Sequence, residues 1–287
     1  ILFEVLSSDF LTSFIQQRSE FETQEVFNEC NKILNNATVT WRIKYMIFEV
    51  YPLFHKHVKS LESFFKGLEE HYDRGEDECR ASIVRMIGHF FASSEYIHDK
   101  SEFMTLYKTA FASRIIDSKS IYVIEAFFTS LKEIARVAEN DLIFAEIVSC
   151  LSDKIVLQQE SKLEMIRLLE TISVRRLAYF LEHCFPRFED FAFDKNWRVR
   201  FGLLETIENL LKVYKDNVDE EALRTILKLN EHFKEDLVLC NRRLLFTNIM
   251  YYIENYPLTG FKKHGMVEEL LKFWVGHRNY LIRSSAI

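Results

Sequence analysis

The feature that most constrains this chain is a hydrophobic pattern that returns about every 40 residues, a period typical of helical repeats. Each copy has a polar or basic residue at position zero and apolar residues three, four and seven positions later, which is one stripe of an α-helix. Thr247 is the one polar residue on the expected apolar stripe. The seven copies begin at Lys44, Arg80, Ser120, Lys162, Arg200, Arg243 and Arg283.

A second amphipathic segment lies between successive copies, for example over 23–34, 102–115 and 142–155. Two helices per ~40 residues is the period of HEAT and armadillo repeats. One such repeat cannot bury its apolar face alone, so neighbouring repeats must stack. We therefore predict an all-α fold, a HEAT-repeat α-solenoid of about seven stacked helix pairs. A compact helical bundle is the alternative, but a bundle has no reason to keep one register over seven copies.

The predicted organisation is a single solenoid over residues 1–287. Residues 1–18 would be the remnant of a preceding repeat, and 263–287 would be a truncated last repeat. The chain opens without an initiator Met and ends within a helical pattern, so we expect it to be a slice of a longer protein. The predicted complete repeats are 20–58, 60–98, 101–139, 141–175, 176–214 and 219–256.

Composition supports this fold and excludes others. The chain has only 7 glycines and 3 prolines in 287 residues, too few for the turns of sandwiches, barrels or Rossmann-type folds. Its 26 phenylalanines predict an interior filled by large side chains. A net charge of −6 gives no chain-level signal for nucleic acid, and no apolar run reaches the ~18 residues of a membrane span. We expect neither nucleic acid nor membrane as a partner.

The cysteines and histidines give no sign of a metal or catalytic site. The five cysteines are far apart and form no C-x-x-C pair, which predicts free thiols in a reducing, intracellular setting, cytoplasmic or nuclear. His55 and His57 are the one close histidine pair, and residues two apart diverge on a helix. No H-E-x-x-H, G-x-S-x-G, P-loop or G-x-G-x-x-G motif occurs. We predict no enzymatic activity, no metal and no cofactor.

The most specific motif is a duplicated string where the first helix of a repeat turns into the second. Residues 40–47 read TWRIKYMI, residues 196–203 read NWRVRFGL, and residues 277–283 read HRNYLIR, again with an aromatic residue three positions before the register arginine. Tryptophan is unusual in a surface turn because it prefers burial. In a solenoid, equivalent turns line up along one edge. Trp and Arg dominate the hot spots of protein interfaces, so these turns are candidate binding residues.

At these residues the chain resembles the HEAT-repeat scaffold (A) subunit of protein phosphatase 2A. That family has a W-R-V-R-Y-M turn near its middle, a K-W-R-V-R turn several repeats later and an N-Y-L-x-R turn further on. Here the turns at Trp41, Trp197 and Tyr280 follow in the same order and at spacings near those of the family. Weaker echoes are ECRA at 78–81 and Arg242, which sits at a similar helix start. The resemblance implies a divergent member covering the middle and late repeats.

The resemblance also implies partners and site residues. Earlier repeats of such scaffolds receive the regulatory (B-type) subunit and the last repeats receive the phosphatase catalytic subunit. Trp41 and Arg42 would then bind the regulatory subunit. The implied catalytic-subunit residues are Asn196, Trp197, Arg198, Asn279 and Tyr280. HEAT repeats also often carry an Asp six residues before the register Arg, as Asp194 and Arg200 do, whereas Asp236 lies seven before Arg243. We assign a structural role, linking adjacent turns, to Lys44, Arg80, Asp194, Arg200, Arg243 and Arg283.

Other interpretations of the same residues remain open. Each turn tryptophan could pack on a neighbouring turn, and Arg42 and Arg198 could be solvated or paired with nearby acids. Tubulin-binding HEAT arrays also carry Trp and basic residues on their turns, but SK at 118–119 and QQ at 158–159 break a basic series. Nuclear-transport HEAT proteins, which bind charged cargo on an inner face, are the other alternative.

Overall fold

The computed structural model describes residues 13, 17, 19–93, 100–151, 157–214, 225–226, 228–256 and 260–286. Every regular element within these residues is helical, which confirms the predicted all-α class. The remnant predicted at 1–18 lies outside the described residues apart from positions 13 and 17. So do 94–99, 152–156, the first part of the repeat predicted at 219–256, and the last residue.

The chain divides into two compact units, unit 1 over Ile1–Glu164 and unit 2 over Met165–Ile287. The division falls inside α9 (Gln159–Arg175) and inside the repeat predicted at 141–175. The other helices of unit 1 are α1 (Glu20–Asn35), α2 (Trp41–Val50), α3 (Leu61–Arg74), α4 (Asp77–Ser93), α5 (Lys100–Tyr107), α6 (Ser113–Ile116), α7 (Ile121–Val137) and α8 (Asp141–Ser149). A 3₁₀ turn at Tyr51–His57 follows α2, and a π-helical turn at Lys108–Ala112 joins α5 to α6.

Several helices of unit 1 begin at a side-chain cap that the sequence encodes. Ser19 accepts a hydrogen bond from the Glu22 backbone N–H, and the Glu22 carboxylate accepts from the Ser19 N–H, which together form a capping box. Ser60 and Asn140 cap α3 and α8 by accepting backbone N–H bonds. These oxygens satisfy N–H groups that have no partner within the helix. The helix starts are therefore fixed by local chemistry.

The helices of unit 1 pack in two rows. Helices α3, α5 and α8 pack in succession, and α2, α4 and α7 do the same, while the α3–α4 turn joins one row to the other. Phenylalanines fill the space between them, as the composition predicts: Phe64 stacks on Phe90 at 4.6 Å between ring centroids, and Phe103 contacts Phe65 at 5.0 Å and Phe91 at 5.1 Å. Large apolar side chains thus hold adjacent helix pairs together.

Helices α4 and α7 of unit 1 approach each other closely at Gly88 of α4. A Cβ atom at this position would lie 2.6 Å from the Cα and 2.7 Å from the carbonyl oxygen of Ser130 on α7. No side chain fits against backbone at that distance. Gly88 therefore permits the tight contact between α4 and α7.

Unit 2 repeats the arrangement of paired helices. Its helices are α10 (Leu177–His183), α11 (Phe185–Asp190), α12 (Trp197–Val213), α13 (Leu239–Asn255), α14 (Gly260–Gly276) and α15 (Tyr280–Arg283). Short 3₁₀ turns lie at Phe191–Phe193, Leu229–Phe233 and Ser284–Ala286. Helix α12 packs along α13, and the 3₁₀ turns before α12 and α13 pack on one another. The turns that lead into α12 and α13 consequently lie side by side, and Arg242 at the start of α13 donates to the Leu281 carbonyl oxygen of α15.

Candidate protein-binding surface

The turn before α12 is held by a small set of hydrogen bonds. The Asp194 carboxylate accepts from the Asn196 backbone N–H at 2.8 Å, and the Asn196 side chain accepts from the Arg198 N–H at 3.0 Å, which caps α12. Arg200 Nη1 donates to the carbonyl oxygen of Asp194 at 2.6 Å. This network fixes the turn and places Trp197 at the first residue of the helix.

The same construction occurs in the next two turns of unit 2. The Val238 N–H donates to the Asp236 carboxylate at 2.9 Å, and the Asn279 N–H donates to His277 Nδ1 at 3.1 Å. Arg283 donates to the His277 carbonyl oxygen at 2.8 Å, six residues back, as Arg200 does to Asp194. Asn196, Val238 and Asn279 have nearly equal backbone angles, with φ from −90 to −83° and ψ from 118 to 122°. The three turns thus share one backbone conformation and one pattern of hydrogen bonds.

The middle turn corrects the predicted register. Arg242, not Arg243, donates to the carbonyl oxygen six residues back, that of Asp236, and it also donates to Leu281 O and Ser285 Oγ. Arg242 is 1 % exposed, whereas Arg243 is exposed. With Arg242 as position zero, the apolar stripe includes Leu245 and Ile249. Thr247 then no longer belongs to the stripe, and it is exposed in the structure.

A second correction concerns the third copy of the pattern. Ser120 is the residue before α7, and its N–H donates to Ser118 Oγ at 3.2 Å, as Asn196 does to Asp194. The position equivalent to Arg200 is therefore the buried Ile124, one helical turn later. An apolar stripe looks the same when it is shifted by four residues, so the pattern alone did not fix this start.

Asp236 joins two of these turns. Arg200 makes a bidentate ion pair with it, at 2.6 Å from Nε and 3.0 Å from Nη2, and Asn241 Nδ2 donates to it at 2.8 Å. Burial alone would raise the pKa of the Asp236 carboxyl, but the hydrogen bonds from Arg200, Asn241 and the Val238 N–H, with the charge of Arg200, lower the pKa below its ordinary value. Asn241 also donates to the Trp197 carbonyl oxygen at 3.3 Å.

The duplicated Trp-Arg motif has the same local geometry in both units. The Arg42 guanidinium carbon lies 5.6 Å from the Trp41 ring centroid, and that of Arg198 lies 5.5 Å from Trp197. The Trp41 carbonyl oxygen accepts from Cys79 Sγ at 3.4 Å, which corresponds to the bond from Asn241 to Trp197. Trp41 is half-buried, whereas Trp197 is 40 % exposed.

The remaining register residues of unit 1 lie at a turn as well. Arg80 Nε donates to the Tyr72 carbonyl oxygen at 3.0 Å, and Nη1 donates to Asp77 at 3.3 Å, so Arg80 ties α4 to the end of α3. Lys44 is half-buried near His71, whose pKa is lowered by burial and by the charge of Lys44. Arg80 thus bonds to the preceding helix, α3, and Lys44 of α2 lies close to a residue of the next helix, also α3.

Large apolar side chains are exposed at all three turns of unit 2. With the corrected register, the position three before the register arginine is Trp197, Leu239 and Tyr280, which are 40 %, 36 % and 68 % exposed. The motif analysis found the two aromatic residues but missed Leu239, since the register was off by one. It also missed three exposed neighbours, Phe193, Leu237 and Leu281. We call residues 193–198, 234–239 and 277–281 the unit 2 turn surface.

The described residues contain no group of three or more His, Cys, Asp and Glu side chains that could hold a metal ion. All five cysteines are free. Burial raises the pKa of Cys30 and Cys150 to about 11 and that of Cys184 to about 12, so these three are neutral thiols at neutral pH. No helix within the described ranges is long and apolar enough to cross a membrane.

Fold and surface together define a class: an all-helical protein of paired helices that presents repeated, chemically similar turns. No protein-family model matches the chain, and no curated protein sequence matches it significantly.

Proposed function

We propose that the chain is a non-catalytic scaffold, an α-solenoid of HEAT repeats that binds the catalytic and regulatory subunits of a protein phosphatase 2A-type serine/threonine phosphatase along its turns. It would act in the cytoplasm or the nucleus and would need no cofactor. Trp41 and Arg42 would contact the regulatory subunit. Asn196, Trp197, Arg198, Asn279 and Tyr280 would form the contact with the catalytic subunit.

The observation that carries the proposal is the turn that unit 2 makes three times, each time with an apolar side chain exposed three residues before the register arginine. Exposed Trp, Tyr and Arg are the residues that dominate interface hot spots. Hydrogen bonds fix the backbone under each of these side chains, so little order has to be gained when a partner binds.

In this proposal the scaffold does no chemistry. It would hold an enzyme and a specificity subunit on one chain, so that targeting depends on effective concentration and geometry. Stacked repeats suit this task because they present long surfaces from short repeated units. Asn196 and Asn279 would also position Trp197 and Tyr280, since their side chains cap helices α12 and α15.

The direct test is affinity capture from the source cell with the full chain as bait, followed by identification of the retained proteins. We expect the phosphatase catalytic subunit to be retained by the wild-type chain and depleted with Trp197→Ala. Retention of a nuclear-transport GTPase instead, or equal retention of the catalytic subunit by both baits, would contradict the proposal.

A tubulin-binding array is the second candidate, and one observation favours it. Cationic residues occur on three successive turns of unit 2, at Lys195 and Arg198, at Lys234, and at Arg278. The break in the basic series at 118–119 and 158–159 does not extend to these turns. Co-sedimentation of the chain with microtubules, or a stable complex with the tubulin dimer in gel filtration, would support this candidate over the phosphatase scaffold.

A further inference from the structure

The unit 2 turn surface combines exposed apolar side chains with cations that have no acidic partner. Within the described part of the chain, five exposed basic side chains on or beside this surface take part in no ion pair: Lys195, Arg198, Arg243, Arg278 and Arg283. The half-buried Lys234 takes part in none either and lies over the Phe273 ring. The exposed apolar side chains of the same turns are Phe193, Trp197, Leu237, Leu239, Tyr280 and Leu281.

The acidic groups of the same turns are largely occupied. Asp236 is 7 % exposed and is held by Arg200 and Asn241, and Asp194 accepts the backbone N–H of Asn196. Glu235 is the exposed acid among these turns. The surface is therefore locally positive on a chain whose net charge is −6. Charge complementarity favours an acidic partner.

The three turns are also joined in order by hydrogen bonds. Trp197 O accepts from Asn241, and Leu281 O accepts from Arg242, so each turn is joined to the next by a hydrogen bond at the start of α13. Neighbouring packed helices lie about 10 Å apart. A chain in polyproline II conformation has three residues per turn and advances about 3.1 Å per residue, so every third side chain faces the same side and one turn spans about one interval.

We propose that the unit 2 turn surface binds an acidic segment of a protein partner in polyproline II conformation, in which an acidic residue next to an apolar one recurs every third position. Each turn would receive one such pair, the carboxylate beside a free cation and the apolar side chain beside Trp197, Leu239 or Tyr280. The inference rests on the proposed function in one respect only, namely that the turns are the binding face. A protein segment is favoured over nucleic acid because three of the exposed apolar residues are leucines, which cannot stack on bases as aromatic rings do.

The test uses the full chain and fluorescein-labelled nonapeptides. The first probe is three repeats of Asp-Phe-Ser, the second replaces Asp by Lys, and the third has the composition of the first with its three Asp grouped at one end. We expect the first peptide to bind at least about tenfold more tightly than either of the others, and its affinity to fall as salt is raised because the contact is partly ionic.

Two double charge reversals supply the matched control. Arg198→Glu with Arg278→Glu changes the unit 2 turn surface, whereas Lys59→Glu with Lys66→Glu makes the same change in charge at exposed positions of unit 1. We expect about tenfold weaker binding of the acidic peptide with the first variant and less than about a twofold change with the second. Melting temperatures of both variants verify that they fold.

Three results would overturn the inference: no saturable binding of the acidic peptide at low salt, equal weakening by the two double variants, or tighter binding of a nine-nucleotide oligothymidine than of the peptide. A parallel titration with purified phosphatase catalytic subunit separates this inference from the proposed function. Peptide binding without catalytic-subunit binding would contradict only the proposed function, and the reverse would contradict only the inference.

Discussion

Arg242 and Arg243 are adjacent at the start of α13 and carry the same charge, but only Arg242 is built into the fold. Its guanidinium donates to two carbonyl oxygens, of Asp236 and Leu281, and to Ser285 Oγ, and it is 1 % exposed. Burial lowers the pKa of Arg242, an effect that Asp236 partly offsets. A buried cation of this kind is stabilising only while its hydrogen bonds are made.

We predict that Arg242→Ala lowers the free energy of unfolding by about 3 kcal/mol, because it leaves buried carbonyl oxygens without a donor and creates a cavity. The neighbouring substitution Arg243→Ala should change it by less than about 0.5 kcal/mol, as is usual for an exposed site. Urea denaturation of the two variants measures the difference. Equal losses would show that the register assignment is wrong.

Asp236 makes the stability of the fold depend on pH in the acid range. Because the folded-state pKa of Asp236 lies below its ordinary value, the carboxylate stabilises the fold above the unfolded pKa of about 3.9, and this contribution is lost as the pH falls through the folded pKa. We predict that wild type is more stable than Asp236→Asn at pH 6 and that the difference shrinks below about pH 4. Urea denaturation at several pH values measures it. A difference that does not change with pH would contradict the role given to the carboxylate.

At the scale of elements, the contact between α4 and α7 depends on one missing side chain. We predict that Gly88→Ala lowers the free energy of unfolding of unit 1 by about 1–3 kcal/mol, since its Cβ would meet the backbone of Ser130. Gly67→Ala, in the middle of α3, is the control: its Cβ would meet nothing within 4 Å apart from its chain neighbours and the backbone of its own helix, and alanine favours the helix by about 1 kcal/mol. Thermal melting of both variants tests this, and a neutral Gly88→Ala would mean that the helices are not in close contact there.

The starts of the second helices show what the sequence could and could not predict. Periodicity predicts that a stripe is helical and buried, but a stripe shifted by one turn has the same spacing, and this produced the wrong start at Ser120. At the start of α13, Arg242 and Arg243 are adjacent, and the sequence pattern alone does not show which of them is the register residue. The hydrogen bond to a carbonyl six residues back decides between them, and that bond is visible only in three dimensions.

Among the predicted binding residues, the sequence was most informative where an aromatic side chain breaks a surface rule. Trp197 and Tyr280 are exposed on turns, as the motif analysis expected of binding residues. Leu237 and Leu239 have no such signal, because an isolated leucine near a turn is ordinary. They became candidates only when the turn of α13 proved to match those of α12 and α15.

At the scale of the whole molecule, the repeat period of the hydrophobic pattern predicted the all-α class, and the scarcity of glycine and proline agreed with it. The phenylalanine-rich interior was predictable from composition. The hydrophobic pattern does not predict the partner. Binding depends on surface residues, and substitutions there change stability little, so the fold places few constraints on them. Function must therefore be tested by binding, with stability as the control.

The most direct measurement is a calorimetric titration of the chain with purified phosphatase 2A catalytic subunit. We predict that Trp197→Ala weakens binding by ~2 kcal/mol or more, about thirtyfold in Kd, while the melting temperature stays nearly unchanged. Trp274→Ala is the matched control: Trp274 is 1 % exposed and its Nε1 donates to Lys234 O at 2.9 Å, so its loss should lower the melting temperature. Unchanged affinity with Trp197→Ala, or a collapse of its melting temperature, would contradict the assignment of the turns as the binding surface.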